Sequence, residues 1–564
     1  MLAAAPVLLS ILVYAVTLRF GFVYDDRPQI LENPAVQSTH FQTVFFTKHV
    51  WAQKDPQWQG NYYRPLFLMW LQANYLVFGP HALGWHATNI AVHAVATLLV
   101  FFLARRLLGD EVLASLAAAL FAVHPSHAEV VAWISGVDES LACVCCLAAL
   151  LCWIKAGDRG AKKWYWTGGA LVSFAAAVLF KENAVVLPVV LIAFDWLLGA
   201  GPREALRRSL PFWLVTCLYF TARLLALSGI ANAGEGAGLH DVVLTIPWIL
   251  WFYVLHMVLP VGNSILYDLH VLATPDLFRC VIPLVQVIAV GGIAVVLARG
   301  SRKIAFLMAA MLLFLLPALA GILVFHNYEL VHDRYLYTSS AFFVILVAMG
   351  MGALRDWRSA KTAYGAAAVL MVLYGAAAIY DALPWSDNVS LFRHAIVTAP
   401  HNPYAYSYLA EDLVRQGKPA LALPLYQKSV EVEPRLWITT LALGSTQLLL
   451  GQFDEAERSF LRAIEIYPDR SAPNGMQFYL LGMAQNREGK FPQAELSLRK
   501  AIAVHPRYTQ YHYELALALR GQGRTAEARQ ALETELDIFP TSQQARQLLA
   551  QIDSAPAPEA RRQR

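Results

Sequence analysis

Residues 8–27 read LLSILVYAVTLRFGFVYDDR, and this stretch decides the architecture of the first part of the chain. Its apolar half extends back to residue 2, so the run 2–19 is near the length that a helix needs to cross a bilayer. The run has no basic segment before it and no small-residue cleavage site, which predicts a retained transmembrane helix rather than a removed signal peptide. An acidic pair, Asp25-Asp26, follows it. Carboxylates beside a membrane lose hydration, so this pair is either the polar end of a helix or a functional group.

Further apolar runs continue up to residue 380. Only 15% of the residues are charged, and the net charge is +4. This composition predicts a polytopic membrane protein and excludes an ordinary soluble protein or a nucleic-acid surface. Eleven of the runs are predicted to span the membrane: 2–19, 84–106, 111–124, 138–154, 164–180, 184–199, 210–229, 277–298, 303–325, 336–354 and 362–380. A twelfth run, 244–260, is predicted to be re-entrant or interfacial.

Five short loops rich in Lys and Arg set the predicted orientation, because such loops stay in the cytoplasm. They lie at 105–106, 155–163, 203–208, 299–303 and 355–361. All five share one side only if 244–260 does not cross, and the N-terminus is then cytoplasmic. The loop of Asp25 and Asp26 and the C-terminal part of the chain face the other side. The same face is predicted to hold His124, His127, Glu129, Asp138, Glu139, Lys181, Glu182 and the stretch 326–337.

A repeat occupies the C-terminal part of the chain. Glycines recur at 417, 451, 489 and 523, and prolines at 434, 468, 506 and 540, with spacings of 34, 38 and 34. Small alanines and large residues recur with the same period, which is the tetratricopeptide (TPR) pattern of paired helices. Residues 471–474 are predicted to lengthen one turn between repeats. Such solenoids bind extended peptides or partner proteins, or serve as scaffolds or oligomerisation modules.

The ionisable groups of the predicted outer face suit glycosyl transfer to a hydroxyl. Asp25 or Asp26 would act as the base that takes the acceptor proton. Arg334, Lys181, His124 and His127 would stabilise a departing phosphate. The sequence contains no phosphate-binding glycine loop in a strand–helix context, so a lipid-phosphate sugar donor fits better than a soluble nucleotide.

Each of these groups also has a structural interpretation. His124 and His127 are three residues apart and are either metal ligands or polar caps around Pro125. Lys181 and Glu182 pair with each other in the structural alternative, with the lysine reaching toward the interface. Arg334 would pair with Asp333 there, within an interfacial aromatic belt that includes Tyr335.

An ordered set of motifs resembles the transmembrane and TPR-containing O-mannosyltransferases, which are polyprenyl-phosphate-dependent enzymes of the GT-C superfamily. The motifs are Phe22-Val23-Tyr24-Asp25-Asp26 with Asn33-Pro34, Tyr63-Arg64-Pro65-Leu66, the run from His124 to Trp133, Lys181-Glu182-Asn183, and Arg334-Tyr335-Leu336-Tyr337, followed by the repeats.

The resemblance implies an all-α GT-C membrane domain at 1–383 with a first external loop at 20–83, then about four TPRs at 384–552 and a disordered tail at 553–564. It implies that the catalytic aspartate is Asp25 or Asp26. Basic phosphate-binding roles would map to Arg334, Lys181, His124 and Arg64. The carboxylates Glu129, Glu182 and Asp333, with Tyr335, are predicted to support them. Val137 stands where eukaryotic members carry a basic residue, so that contact is expected to be absent.

The predicted function is therefore an inverting glycosyltransferase. It would move a hexose, by resemblance mannose, from a polyprenyl phosphate to Ser or Thr hydroxyls of a protein that the TPRs bind. No resident cofactor is required by this reading, and a divalent metal is left open. The alternatives are a transferase for glycans or lipids and a non-catalytic TPR membrane scaffold. The predicted location is a bacterial inner membrane with periplasmic repeats, or the ER membrane with lumenal repeats if the source is eukaryotic.

Overall fold

Helices form the regular structure of the chain. The computed structural model describes residues 2–52, 60–158, 163–199, 201–227, 237–323, 328–467 and 475–554, and no strand occurs in these ranges. The chain divides into two compact units, Met1–Pro400 and His401–Arg564. The predicted all-α class with a C-terminal repeat unit is confirmed. The functional boundary at residue 383 stays a prediction, and residues 555–564 of the predicted tail lie outside the described residues.

The first unit contains seventeen helices within the described ranges, most of them built from the long apolar runs. They are α1 Ala4–Tyr14, α2 Pro34–Gln37, α3 Val44–Thr47, α4 Pro65–Phe78, α5 Ala82–Leu108, α6 Glu111–Ala122, α7 Ala128–Ala132, α8 Val137–Gly157, α9 Lys163–Phe180, α10 Leu187–Leu198, α11 Pro202–Leu227, α12 Leu239–Val258, α13 Ile282–Gly300, α14 Arg302–Ala320, α15 Tyr337–Trp357, α16 Ala360–Ala382 and α17 Asn388–Thr398.

Eight helical segments of the described chain are long and apolar enough to cross a membrane, judged by length and composition. Three shorter apolar helices accompany them, at Ala4–Arg19, Pro65–Phe78 and Glu111–Ala122. The predicted number of eleven spans stays a prediction. The eight segments are Ala82–Leu108, Ile134–Gly157, Pro202–Leu227, Leu239–Val258, Leu277–Gly300, Arg302–Ala320, Asp333–Trp357 and Ala360–Ser386.

Two predicted segments coincide with helices. The run 244–260 lies mostly in α12, a continuous helix of 20 residues that is one of the eight candidate spans by length and composition. Its predicted re-entrant or interfacial placement stays a prediction, because charge counts in loops report on sidedness alone. The predicted external loop 20–83 contains the apolar helix α4. The N-in orientation derived from 244–260 therefore stays a prediction.

The core of the first unit lies between α5, α6, α8 and α15. Small residues on α6, such as Ala114 and Ala118, are fully buried and let the neighbouring helices approach closely. Large residues such as Phe121 and Phe342 fill the remaining space and are also fully buried. The loops that join these helices at one end carry the ionisable residues that the sequence analysis singled out.

The second unit is built from antiparallel helix pairs. Gly417, Gly451, Gly489 and Gly523 all have a φ between 74° and 78°, and each ends the first helix of a pair in a conformation that favours glycine. The four periodic alanines, at 422, 456, 494 and 528, are fully buried between helices. Pro468 and residues 471–474 lie outside the described residues. The helices are α18 Pro403–Arg415, α19 Pro419–Val432, α20 Trp437–Leu449, α21 Phe453–Ile466, α22 Met476–Arg487, α23 Phe491–Val504, α24 Tyr511–Gly521, α25 Thr525–Ile538 and α26 Gln543–Ser554.

Candidate active site

A cavity of about 560 Å³ opens in the first unit and has walls of contrasting chemistry. One wall is ionic and aromatic, and it is formed by loop residues and helix ends. The other set of lining residues, the apolar wall, comes largely from α11, α14 and residues 185–186. The ionic and aromatic wall includes Asp25, Tyr62, Arg64, Trp133, Asp138, Lys181, Glu182, Arg334 and Tyr335, and the apolar wall includes Val185, Val186, Phe220, Leu316, Pro317 and Ala318.

The two neighbouring aspartates occupy different environments. Asp25 is half-buried and lines the cavity. Asp26 is fully buried, and its carboxylate accepts hydrogen bonds from the backbone N–H groups of Ser135 at 2.8 Å and Val23 at 3.0 Å. Burial raises the pKa of Asp26 to about 7, although these hydrogen bonds oppose the rise. Asp26 therefore ties the loop to the segment after α7, whereas Asp25 faces the space where a ligand would bind.

Arg64 lies just before α4, where Pro65 starts the helix. Its Nε donates to Glu182 at 2.8 Å, its Nη1 donates to Asp138 at 2.7 Å, and Nη2 also donates to Glu182. Burial alone would raise the pKa of Glu182, but the charge and hydrogen bonds of Arg64 outweigh it and lower that pKa to about 2. The carboxylate thus stays ionised and fixes the guanidinium at the cavity wall.

Lys181 joins the same network from the end of α9. Its Nζ lies 3.0 Å from a carboxylate oxygen of Asp138 and 2.8 Å from one of Glu139. The Lys181 side chain is almost fully buried, and so are both of its partners. Asp138 therefore bridges two cations, which brings residues from three separate loops to one face of the cavity. The predicted pairing of Lys181 with its neighbour Glu182 is replaced by pairs with Asp138 and Glu139.

Arg334 enters the cavity from the segment before α15. Its guanidinium forms an ion pair with Glu129, and its backbone N–H donates to the same carboxylate at 2.9 Å. The guanidinium lies 5.6 Å from the ring centre of Trp133 and 5.2 Å from that of Tyr335. Asp333, predicted to pair with Arg334, instead accepts a hydrogen bond from the Tyr267 hydroxyl. Glu129 is thus the carboxylate that positions Arg334.

His124 and His127 do not line the cavity. His124 hydrogen-bonds to the Met257 carbonyl at 3.0 Å, and His127 to the Ser340 hydroxyl at 2.7 Å. Together with His93, whose ring centre is 5.5 Å from that of His127, they form a fully buried histidine cluster. Burial lowers the pKa of His124 to about 4, so its ring is neutral at pH 7. The cluster therefore lies in the core, and its histidines are not among the residues that line the cavity.

Several cavity residues were missed by the sequence analysis. Trp133 and Tyr62 supply aromatic faces, and Arg223 lines the cavity from within α11, where it donates to the Asn61 carbonyl at 2.8 Å. An arginine inside an otherwise apolar helix is a recognised signal of function. Because Arg223 lay inside the predicted span 210–229, the sequence could have identified it as a candidate functional residue. The aromatic residues carried no such signal, because aromatic residues are common at any membrane interface.

One carboxylate cluster in the described ranges has the geometry to share a cation, and it lies in the second unit. It consists of Asp454, Glu457 and Glu488. Lys490 pairs with all three carboxylates and already supplies a positive charge there. The cluster is thus a surface ion-pair network of the repeats.

Comparison with known families matches two regions of the chain. Residues 63–226 match the family described as dolichyl-phosphate-mannose-protein mannosyltransferase. Residues 409–471 and 479–542 match the tetratricopeptide repeat family. The first region contains Arg64, Asp138, Lys181 and Glu182, whereas Asp25 and Arg334 lie outside it.

Two curated relatives match different extents of the chain. The protein O-mannosyl-transferase Tmtc2 of Drosophila melanogaster is 37% identical over 200 residues, which are 34% of this chain and 21% of the relative. The human protein O-mannosyl-transferase TMTC3 is 24% identical over 522 residues, which are 82% of this chain and 55% of the relative. The chain thus spans about half or less of the length of these relatives.

A crystal structure of MamA is similar to part of the chain, with 20% sequence identity. The similar part is 27% of this chain and 86% of MamA, and its TM-score of 0.25 is too low to carry a conclusion.

The apolar helices and the relatives identify an integral membrane protein. The resemblance predicted from the sequence motifs is confirmed: the chain is a relative of the TPR-containing protein O-mannosyl-transferases, and it joins a mannosyltransferase-type membrane region to tetratricopeptide repeats.

Proposed function

We propose that the protein transfers a mannose residue from a polyprenyl-phosphate donor to Ser or Thr hydroxyls of a polypeptide. The observation that carries the proposal is a single cavity that Asp25 and several cations line together with a set of apolar side chains. A polyprenyl-phosphate sugar needs this combination, because its phosphate is anionic and its tail is a hydrocarbon. The match to mannosyltransferases supports mannose as the sugar.

Asp25 is the proposed general base. It would accept the proton of the acceptor hydroxyl while the hydroxyl oxygen forms a bond to C1 of the sugar. The bond between C1 and the phosphate oxygen breaks, and its electron pair leaves with the polyprenyl phosphate. A positioned base of this kind contributes roughly 100- to 10,000-fold in rate. Asp26 is set aside as the base, because it is buried and its oxygens are used by backbone N–H groups.

Arg334, Arg64 and Lys181 are the proposed phosphate-binding cations. A guanidinium has five N–H donors, and Arg334 uses one of them for Glu129 within the described residues. The carboxylates behind these cations hold them in place before the donor arrives. Such preorganised charge stabilises the leaving phosphate without a reorganisation step during the reaction. His124 and His127 have no part in this proposal.

The apolar wall is the proposed exit for the lipid tail. Leu316, Pro317 and Ala318 come from α14, and Phe220 comes from α11, both of which are candidate membrane spans. A hydrocarbon chain that leaves the cavity between these helices would pass directly into the lipid phase. The reaction would take place on the extracytoplasmic face, and the repeats would bind the polypeptide acceptor on that face.

The decisive experiment combines purified protein, radiolabelled polyprenyl-phosphate mannose and a host envelope extract. Wild type is compared with Asp25→Asn and with Glu32→Gln, an exposed carboxylate of the same loop that pairs with Arg27. Label on protein bands with wild type and Glu32→Gln, and none with Asp25→Asn, is the expected result. Full activity of a folded Asp25→Asn variant would refute the assigned base.

A second comparison tests the acceptor. A protease site inserted beside His401, at the boundary between the units, allows the repeats to be removed after purification. We expect cleavage and separation to abolish protein labelling while donor binding to residues 1–400 persists. Label on lipid or glycan alone, unchanged by cleavage, would instead identify a glycan- or lipid-modifying transferase. Absence of donor binding under all conditions would favour a scaffold.

A further inference from the structure

The backbone directly before Asp25 is held in an unusual conformation. Tyr24 has a φ of 52° and is one of two non-glycine residues with a positive φ in the described ranges. Bulky residues rarely adopt this left-handed region, and they persist there only when surrounding contacts enforce it. Because the Tyr24 dihedrals set the direction in which the next residue leaves the chain, they also set where Asp25 lies.

The enforcing contacts come from a segment more than 350 residues away. The Asn388 side-chain oxygen accepts the backbone N–H of Tyr24 at 2.8 Å, and the Ser386 carbonyl accepts that of Gly21 at 3.1 Å. The Tyr24 ring packs edge-on against Phe392, with ring centres 6.1 Å apart. The first turns of α17, and the residues just before it, therefore contact the Asp25 loop at three points.

Asn388 is not needed to complete its own helix. Asp387 is the cap of α17, and its carboxylate accepts the N–H of Ser390 at 2.9 Å. The Asn388 amide instead spans the gap to the neighbouring loop. The Asn388 amide oxygen thus accepts the backbone N–H of Tyr24, while Asp387 caps α17.

The far end of α17 contacts a second loop of the same unit. His394 Nε2 donates to the Asn263 carbonyl at 3.0 Å, and the Thr398 hydroxyl donates to the Ser264 hydroxyl at 2.8 Å. The Ser264 N–H in turn donates to the Tyr267 hydroxyl at 2.9 Å. That hydroxyl donates to Asp333, whose chain neighbour is the cavity residue Arg334.

The helix α17 therefore links the loop that carries the proposed base to the segment that carries Arg334. Its N-terminal end fixes the residue before Asp25, and its C-terminal end reaches, through Tyr267, the residue before Arg334. Base and phosphate-binding cation must stand at a set separation on opposite sides of the sugar, and an error of about 1 Å in such a geometry lowers rates up to roughly 100-fold.

We propose that α17 is a positioning element of the active site, and that Asn388 is a positioning residue that aims Asp25 by holding Tyr24 in the left-handed conformation. The inference rests on the proposed role of Asp25 as the base. Nothing in it requires Asn388 to touch the substrate.

Steady-state kinetics of full-length Asn388→Ala test the inference. We expect kcat to fall roughly 10- to 100-fold, with the KM for the donor changed by less than about threefold, because the donor-binding cations are untouched. Asn388→Asp keeps an acceptor oxygen and should retain kcat within about threefold of wild type. Arg393→Ala, an exposed position on the same helix, is the matched control. A folded Asn388→Ala variant with wild-type kcat would overturn the proposal.

A double-variant cycle separates positioning from general destabilisation. Glycine adopts a positive φ without penalty, so in a Tyr24→Gly background the Asn388→Ala change should lower kcat by no more than about threefold. An equal loss in both backgrounds would show that Asn388 does not act through Tyr24. Asp25→Asn is measured in the same assay. Full activity of that variant would refute the base itself, whereas an inactive Asp25→Asn with a normal Asn388→Ala would refute only the positioning role.

Discussion

The ionic wall of the cavity and the buried histidine cluster were both expected to hold phosphate, and they turn out to be different kinds of site. In the wall, Arg64, Lys181 and Arg334 line an open space and are held by carboxylates from other loops. In the cluster, His124 and His127 are enclosed by the core and hydrogen-bond to a carbonyl and a hydroxyl. Position along the sequence did not separate the two, because both sets lie at the ends of apolar helices.

The difference shows what a phosphate site requires beyond a basic residue type. A buried histidine without a carboxylate partner loses its proton, as the lowered pKa of His124 indicates, and a neutral ring supplies no net charge. A guanidinium keeps its charge even when buried, because its acidic partners offset the lost hydration. The carboxylates at the cavity wall therefore help the buried cations there to keep their charge.

Among the substitutions that compare the two regions, the largest effect is expected from Arg334→Gln. Loss of a preorganised donor to the leaving phosphate should lower kcat roughly 100- to 1,000-fold. Arg334→Lys keeps the charge but loses the planar fork, and it should fall between wild type and Arg334→Gln. His124→Gln, from the cluster, should keep kcat per folded molecule within about threefold of wild type. Equal losses for Arg334→Gln and His124→Gln would erase the distinction between the two regions.

Arg64→Ala tests the ionic wall through its effect on the stability of the protein. Removal of this guanidinium leaves Glu182 without its main partner and Asp138 with Lys181 alone, and the loss of one partner costs about 3 to 5 kcal/mol in comparable buried pairs. Thermal unfolding in detergent measures the loss. The triple variant Arg64→Met with Asp138→Asn and Glu182→Gln removes all three charges together and should recover much of the stability. A triple variant as unstable as Arg64→Ala would contradict this account of the wall.

His127→Ala should have a smaller effect of a different kind. The substitution deletes a packed ring and leaves the Ser340 hydroxyl without this partner, so we expect a loss of about 1 to 3 kcal/mol in the free energy of unfolding. The specific activity of the folded fraction should be unchanged, because the ring does not reach the cavity. Reduced donor affinity in folded His127→Ala would show that the histidine cluster does take part in donor binding.

The fold was predictable from the sequence to the extent that it depends on local pattern. Runs of apolar residues marked the long helices, and the glycine and alanine period marked the repeats, whose glycines adopt the expected positive φ. The run 244–260 lies mostly in the continuous helix α12, and its placement relative to the membrane stays a prediction, because it rests on loop charges alone.

The site was predictable only in part. Residue types singled out Asp25, Lys181 and Arg334, and the family resemblance added Arg64; all four line one cavity, and their roles stay predictions. Glu129 and Glu182 were expected to support these cations, but which cation each would meet was not predictable, because Glu129 meets Arg334 across 205 residues of sequence. The contrast between Asp25 and Asp26 also depends on tertiary contacts, since Asp26 is buried against the backbone of Ser135 whereas Asp25 lines the cavity.

A further expected effect concerns pH and Asp26. Its pKa is about 7 in the folded protein against an ordinary value of 3.8, because burial disfavours the charged form. Between these values the folded state holds a proton that the unfolded state has lost. Stability from this group is therefore complete below about pH 4, falls as the pH rises toward about 7, and levels off above that.

Asp26→Asn isolates this contribution. The asparagine has one acceptor oxygen in place of two, so the variant should be less stable by a constant amount, but it lacks the titrating group. The melting-temperature difference between wild type and Asp26→Asn should shrink as the pH rises from about 4.5 to about 7.5. Glu32→Gln, exposed in the same loop, should show no such trend. Parallel pH profiles for wild type and Asp26→Asn would mean that Asp26 is ionised throughout, and the contrast with Asp25 would then rest on hydrogen bonding alone.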